Sequence, residues 1–213
     1  MTSVSVHDAG ADHQSEAEPL RARVWTSLRW VRPPVLALVL AFFALPFLTV
    51  GCDTPGGFGR VSAGGTTSYR GYQLAFGLEP SRGPVEHVLP DGQGVDDRLG
   101  VQPLAVAALL LVLAALTASI VVSTAQLRRL ICCVLASTAL VATVVAVLVV
   151  RTRLVDLVAD QLHDRPVPPD RTAAGYVSWG AGFGLTVVML AAAGLVDLFL
   201  ALGAHARARG GRA

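Results

Sequence analysis

The sequence predicts an all-α polytopic membrane protein whose four transmembrane helices form a bundle. Of its 213 residues, 53% are hydrophobic and 15% are charged, whereas soluble domains carry about 25% charged residues. The apolar residues fall into four long runs, and a spanning helix needs about 20 of them, within a range of about 17 to 25. A soluble chain of this length has too little polar surface to cover four such helices.

Composition divides the chain into cytoplasmic, membrane and extracytoplasmic segments. The predicted segments are a disordered polar tail (1–20), a basic anchor with tryptophans (21–32), a first span (33–50), a Gly-rich outer loop (51–100), a second span (101–123), a tight cytoplasmic turn (124–129), a third span (130–150), an outer loop with an amphipathic helix (151–176), a fourth span (177–202) and a basic tail (203–213).

Prolines and glycines set the expected ends of these helices. Pro33 and Pro103 are placed to begin spans, because the first helical residue needs no N–H partner. Pro46 is expected to kink the end of the first span. Gly180 and Gly184 open the fourth span with the spacing of a close helix–helix contact, which we expect within the chain, with contact to a second subunit as the alternative.

The segment after the third span has a helical period of its own. In "RTRLVDLVADQLH" (151–163) the apolar residues form one stripe and the charged residues lie opposite. This pattern predicts an amphipathic extension of the third helix that bends onto the outer surface. Docking of a partner protein on that stripe is the alternative.

The arginines set the predicted orientation. The chain contains no lysine, and nine arginines lie on the side of the N-terminus against eight on the other side. The nine are concentrated close to helix ends, where positive charge fixes the cytoplasmic side. Both termini are therefore predicted to be cytoplasmic, in the plasma membrane of a bacterium.

The stretch "ALPFLTVGCDTPGG" (44–57) ends the first apolar run. A basic flank and small residues before Cys52 fit a signal peptide, and a cysteine at this place also fits lipid attachment. The run is, however, longer than a signal-peptide core of about 7 to 15 residues. Lipid-attachment sites usually have Leu three residues before the cysteine, and here that position is Thr49. We therefore interpret the run as an uncleaved helix with Cys52 at its outer end.

Two short stretches around this helix end form a pattern, "PFLTVGC" (46–52) and "RGYQLAFG" (70–77). The matching positions are Pro46, Phe47, Thr49, Val50, Cys52, Gly71, Tyr72, Leu74, Ala75 and Gly77. The pattern resembles that of uncharacterised, largely actinobacterial, four-helix integral membrane proteins. The resemblance implies three further helices and no established activity, and this chain departs from it in its longer loop at 78–100. It makes Cys52, Gly71, Tyr72 and Gly77 candidate functional or structural residues.

The outer loop contains a predicted β-hairpin. Val61–Ala63 and Thr66–Tyr69 flank Gly64-Gly65, a dipeptide that suits a two-residue turn. The alternation of Tyr72, Leu74 and Phe76 that follows indicates one apolar face. We expect this hairpin to cover the outer mouth of the bundle.

Asp197 is the one acidic residue well inside a predicted span. A charge at the centre of a span costs about 2.5 to 3.5 kcal/mol and usually faces the interior of the bundle. Asp197 is predicted to reach the cytoplasmic interface or to pair with Arg128 or Arg129. A role in moving a proton or an ion is the alternative.

The remaining polar residues indicate no chemistry. His87, Asp91, Asp96 and Asp97 in the outer loop match no metal-binding spacing, and an acidic, solvated loop is expected. No phosphate loop, HExxH, GxSxG or CxxC motif is present, and no basic cluster suits nucleic acid. We predict no catalytic residue, no metal and no cofactor.

These observations favour a non-enzymatic role. The expected function is that of a scaffold or accessory subunit, with the lipid bilayer around it and a membrane-protein partner contacted through the extracytoplasmic loops. The alternative from another class is a small transporter or a channel-forming oligomer that uses Asp197.

Overall fold

The computed structural model describes residues 31–51, 53, 56–62, 64–83, 96–163 and 172–210. The predicted tail at 1–20, most of the basic anchor, Cys52, His87 and Asp91 lie outside the described residues. The helices are α1 (Val31–Phe42), α2 (Gly71–Phe76), α3 (Pro103–Val121), α4 (Ala125–Leu162) and α5 (Ala181–Gly210). The strands are β1 (Pro46–Gly51), β2 (Thr66–Arg70), β3 (Ser81–Arg82) and β4 (Val177–Trp179), and a 3-10 turn, Ala173–Tyr176, precedes β4.

Among the described residues, three helices are long and apolar enough to cross a membrane. They are α3, α4 and the part of α5 at Ala181–Leu200. The described part of α1 is apolar but shorter, at 12 residues of helix. The prediction of long apolar helices is therefore confirmed for the second, third and fourth of the four expected spans.

A small antiparallel sheet, with strand order β3-β2-β1-β4, joins these helices. The all-α prediction is wrong at this point. β1 lies in the middle, pairs with β2 from Gly51↔Thr66 to Pro46↔Arg70, and pairs with β4 through Leu48↔Trp179. β1 and β2 are rich in Thr, Val, Phe and Tyr, residue types that fit a pleated, half-buried surface.

The first helix ends at Phe42, eight residues before its predicted end at Val50. Pro46 explains the difference, because it cannot donate to a helical carbonyl and disfavours the helical conformation of the residue before it. The chain turns over residues 43–45, and the apolar residues after Pro46 are buried in the sheet. In the same way the predicted start of the fourth span at Val177 is β4, and α5 begins at Ala181.

The predicted hairpin is correct in one of its two strands. Thr66–Arg70 is a strand, but its partners are β1 and β3, and Val61 instead forms an isolated bridge with Phe58. The segment with the apolar alternation is the helix α2, whose Leu74 is buried and whose Phe76 is exposed. The Gln73 side chain accepts a hydrogen bond of 2.9 Å from the Arg70 N–H and so closes the first turn of α2.

Backbone hydrogen bonds attach the cap, by which we mean the four strands together with α2, to three helices. The N–H of Tyr72 donates to the carbonyl of Phe43 after α1 (3.0 Å), and that of Gln102, before α3, donates to Leu74 (3.1 Å). The N–H of Gly180, before α5, donates to Phe47 (2.8 Å). The cap is thus fixed at one end of the helices, which we call the cap end; the other is the far end.

The longest helix, α4, packs against both α3 and α5. Residues 130–150, between Arg129 and Arg151, are uncharged. At about 1.5 Å per residue these two arginines are about 33 Å apart along the axis, close to the hydrocarbon thickness of about 30 Å. Beyond Arg151 the helix runs on for about 17 Å. The predicted extension continues α4 without a break, since 125–162 is one helix, and the turn before it is only 122–124.

The extension of α4 beyond Arg151 is amphipathic, as predicted. Its buried stripe faces the 3-10 turn and the cap. The buried residues are Leu154, Val158 and Leu162, and the exposed charged residues are Arg153, Asp156 and Asp160.

Glycines allow the close approach of β1 to the start of α5. A Cβ atom at Gly180 would lie 2.1 Å from the carbonyl oxygen of Pro46, and one at Gly182 would lie 2.8 Å from the Cβ of Leu45. A Cβ at Gly184 would meet no described atom within 4 Å. The predicted pair of Gly180 and Gly184 is therefore wrong: the close contacts are made by Gly180 and Gly182.

Candidate functional site

Asp197 of α5 forms a salt bridge with Arg32 of α1. The two side chains are only 6% and 14% exposed, so both charges are largely removed from the surface of the molecule. Each neutralises the charge that would make the other costly to bury. Of the two predicted partners, Arg128 is bound elsewhere, and the positive charge of Arg129 does act on Asp197; the prediction did not name Arg32.

Helix length explains why Arg32 is the partner. Counted from the contact of Leu45 with Gly182, Arg32 is 13 residues away, of which 10 run along α1 (about 15 Å) and the rest form the turn at 43–45, while Asp197 is 15 residues away along α5 (about 22 Å). Both charges therefore lie well away from the cap end on neighbouring helices, and the salt bridge places them at one depth. Arg128 is buried elsewhere, where its guanidinium donates to the Val122 carbonyl (3.2 Å) at the negative end of α3.

A cavity of about 180 Å³ lies beside this ion pair, between α1, α4 and α5. Its lining residues are Val31, Arg32, Val35, Leu36, Cys132, Ala136, Met189, Ala192, Ala193, Val196 and Asp197. Leu36, Cys132 and Ala136 are nearly fully buried, whereas Val31 and Val196 are 54% and 46% exposed. The cavity therefore reaches from the interior of the bundle to its surface. We call it the ion-pair cavity.

The walls of the ion-pair cavity suit an apolar group. An engineered apolar cavity of about 150 Å³ stays dry and binds benzene, so this one has room for a comparable apolar group. Its one nucleophilic side chain, Cys132, donates a weak hydrogen bond of 3.7 Å to the Ala115 carbonyl. No three His, Cys, Asp or Glu side chains in the described part of the chain are grouped to hold a metal ion.

Gly71, Tyr72 and Gly77 lie together in the cap, far from the ion pair. A Cβ at Gly71 would lie 2.9 Å from the rings of both Phe43 and Phe47, so this position requires glycine. Tyr72 is half-buried and joins α2 to the end of α1 through its N–H. Gly77 ends α2 with φ of 64°, where a Cβ would lie 2.6 Å from the N of Val101. Their contacts indicate a structural role, because they hold α2 against the segment after α1 and the segment before α3.

A second polar cluster is buried in the cap, around Asp97. This carboxylate is 2% exposed, and its two oxygens each lie 3.4 Å from a guanidinium nitrogen of Arg82. The hydroxyl of Tyr69 donates to the Asp97 carbonyl (2.9 Å). The expectation of a solvated loop is wrong for Asp97, and no sequence pattern marks it, because its partners are 15 and 28 positions away.

An exposed ion pair lies next to this cluster. The Arg98 guanidinium donates to the Glu79 carboxylate at 2.6 Å. That hydrogen bond, with the positive charge of Arg98, holds the pKa of Glu79 below its ordinary value and raises the pKa of Arg98. The pair connects the segment after α2 to the segment before α3.

No protein-family model, curated protein or solved structure matches this chain. Two regions of the described structure have distinctive geometry, the cap at one end of the helices and the ion-pair cavity near the other. Sequence reasoning named Asp197 but missed Arg32 and the cavity. Counting residues from the cap end would have placed both Arg32 and Asp197 well away from it, but only once the strands were known.

Proposed function

We propose that this chain is a four-helix integral protein of a bacterial plasma membrane that acts as a non-enzymatic scaffold or accessory subunit. In this proposal α1, α3, α4 and α5 cross the bilayer, and both termini are cytoplasmic. The cap and the extension of α4 are presented on the outer side, where a membrane-protein partner contacts them. The resemblance of residues 46–77 to four-helix membrane proteins agrees with this proposal.

The cap carries the argument for a scaffold. It is attached to α1, α3 and α5 by backbone hydrogen bonds, and the stripe of the α4 extension packs beside it. A platform fixed to four helices holds its outer surface in a defined orientation relative to the membrane. The outer face of the extension carries Arg153, Asp156 and Asp160, and a partner with complementary charges can bind this pattern specifically.

The charge distribution supports membrane insertion with this orientation. Arg151 stacks over the ring of Trp179 with its guanidinium carbon 5.2 Å from the ring centroid, and Trp179 stacks on Phe183. Tryptophan and arginine at one level are typical of a membrane–water interface. Arg128 and Arg129 occupy the far end of α4, close to the helix terminus, as expected for a cytoplasmic boundary.

Labelling of Cys52 tests insertion and orientation together. The protein carries Cys132→Ala and Cys133→Ala, so that Cys52 is the one remaining thiol, and intact cells receive a membrane-impermeant maleimide. We expect labelling in intact cells. Labelling only after lysis would invert the proposed orientation, and no labelling after denaturation would show a lipidated or otherwise blocked cysteine.

Photocrosslinking tests the scaffold role. A photoreactive amino acid replaces Asp156 on the extension or, as the matched control, Val188, which is exposed on the same bundle in α5. We expect one discrete protein adduct from position 156 and only lipid adducts from position 188. Equal adduct patterns from both positions would contradict a partner site on the extension.

A small transporter is the second candidate, because the ion-pair cavity adjoins a carboxylate within a predicted span. Purified protein in proteoliposomes distinguishes the two. A scaffold produces no proton or solute flux with either the wild-type chain or Asp197→Asn. Flux that the wild-type chain supports and that Asp197→Asn abolishes, at equal amounts of inserted protein, would favour the transporter.

A further inference from the structure

We infer that the ion-pair cavity is a binding site for an anionic phospholipid, with one acyl chain between α1, α4 and α5 and the phosphate at the arginines of the far end. This inference rests on the proposed insertion in a membrane. It assigns a ligand class to the cavity, which the scaffold proposal leaves without a role.

The walls of the cavity fit part of an acyl chain, since its volume of about 180 Å³ suits an apolar group of roughly benzene size. Apart from the ion pair and the Cys132 thiol, every lining side chain is an aliphatic residue or Met189. The inner end at Leu36, Cys132 and Ala136 is closed, and the exposed Val31 and Val196 stand at the surface of the bundle. An opening toward the surface of a membrane helix bundle faces lipid, so an acyl chain enters without crossing water.

The charges at the far end favour an anion over a cation. Cys132 of the cavity wall follows Arg129 by three residues, which places Arg129 one turn from the wall. Arg128 precedes it and adds its charge at the same end of α4, although its guanidinium donates to the Val122 carbonyl. With Arg32 these two arginines make three positive charges against the single carboxylate of Asp197, counting the side chains described at this end. A basic pocket between helices near the cytoplasmic boundary suits an anionic headgroup.

The depth of these groups matches a headgroup near the boundary. Asp197 lies about 22 Å along α5 from Gly182 and Arg32 is paired with it, so about 8 Å of hydrocarbon remains between the pair and the far boundary of a core of about 30 Å. Arg129 lies about 4.5 Å further toward the far end than Cys132. Its long side chain is half-buried and can extend to the phosphate while its stem covers apolar surface.

The test uses the full chain, purified in detergent, and mixed micelles that contain phosphatidylglycerol or phosphatidylcholine with the same acyl chains. Native mass spectrometry counts retained lipid, and thermal unfolding gives the shift of the midpoint. Arg129→Gln removes one charge, and Ala193→Leu fills the cavity while keeping every charge. The matched controls are Arg153→Gln at the cap end and Ala114→Leu on the exposed side of α3.

We expect phosphatidylglycerol to be retained and to raise the midpoint, whereas phosphatidylcholine does neither. Arg129→Gln should weaken retention about fivefold, because one arginine near an anionic surface contributes about 1 kcal/mol. Ala193→Leu should abolish retention, and both controls should behave like the wild-type chain.

Three outcomes would overturn the inference. The first is equal retention of the two lipids, which would show that the headgroup charge is not read. The second is an equal loss with Arg129→Gln and Arg153→Gln, which would indicate unspecific surface charge. The third is stabilisation by inorganic phosphate that Ala193→Leu leaves unchanged, which would show an anion site without a chain. Extraction of the wild-type chain from membranes by alkaline carbonate would instead contradict the proposed function; no retention by an inserted chain contradicts the lipid site alone.

Discussion

Separating the charges of Arg32 and Asp197 gives the strongest test of how α1 is held. The set comprises Asp197→Asn, Arg32→Gln and the double variant that carries both amides. Asp197→Asn leaves the charge of Arg32 without its partner, and Arg32→Gln leaves the charge of Asp197 without its partner. Removing one partner of a fully buried pair costs about 3 to 5 kcal/mol, and a charge at the centre of a span costs about 2.5 to 3.5 kcal/mol.

The geometry lowers these values. The pair lies within about 8 Å of the far boundary, and Arg32 is slightly more exposed than Asp197. We therefore expect each single variant to lose about 2 to 3 kcal/mol of unfolding free energy, near the lower end of the range for a buried charge. The double variant buries two neutral amides and should lose about 1 to 2 kcal/mol, since an amide pair keeps one hydrogen bond.

The double-mutant cycle then gives a coupling energy of about 3 to 4 kcal/mol, the sum of the two single losses less that of the double variant. The assay is reversible unfolding by sodium dodecyl sulfate in mixed micelles, followed by circular dichroism for all four proteins. Additivity within about 0.5 kcal/mol is what independent sites give. Additive losses would therefore refute the ion pair as an energetic contact, whatever the size of the single effects.

Three further predictions concern the cap end. Gly180→Ala should destabilise the junction of β1 with α5, because its Cβ would lie 2.1 Å from the Pro46 carbonyl oxygen. The control Gly184→Ala, in open space, should stabilise by about 0.5 to 1 kcal/mol, and thermal unfolding of both compares them. Because the pKa of Glu79 is lowered in the folded protein, the contribution of its pair with Arg98 is fully present above the ordinary pKa of a glutamate side chain and is lost as pH falls through the lowered value. The stability difference between wild type and Glu79→Gln should vanish on acidification, and a difference independent of pH would contradict this pairing. Trp179, as the sole tryptophan after Trp25→Phe and Trp30→Phe, should be quenched more by lipids brominated near the headgroup than by lipids brominated near the chain end.

The sequence was sufficient to predict the long helices, because the hydrophobic length of a spanning helix is fixed by the bilayer. Pro103 begins α3 as expected, and the stripe of Leu154, Val158 and Leu162 faces inward as expected. Local patterns of this kind depend on residues a few positions apart.

The sheet could not be predicted in the same way. β1 reads as the end of an apolar helix and β4 as the beginning of another, and each is short. Their partner strands lie far away along the chain, so neither segment contains a local sequence pattern that predicts a strand. For the same reason the salt bridge of Asp197 with Arg32 was missed: the length of α1 is known only when Pro46 is seen to begin a strand.

The pairing of β1 with β4 also has a consequence in time. The hydroxyls of Thr49 and Ser178 meet at 2.6 Å across 129 positions of sequence. At about 5 to 20 residues per second, the ribosome needs roughly 6 to 26 s to make the chain between them. During that interval one edge of the first strand has no neighbour, and the sheet is completed only when the last helix has begun to emerge. The cap can therefore close only after synthesis has reached β4, just before α5. A chain truncated before residue 177 would keep that edge of β1 open for pairing with another molecule.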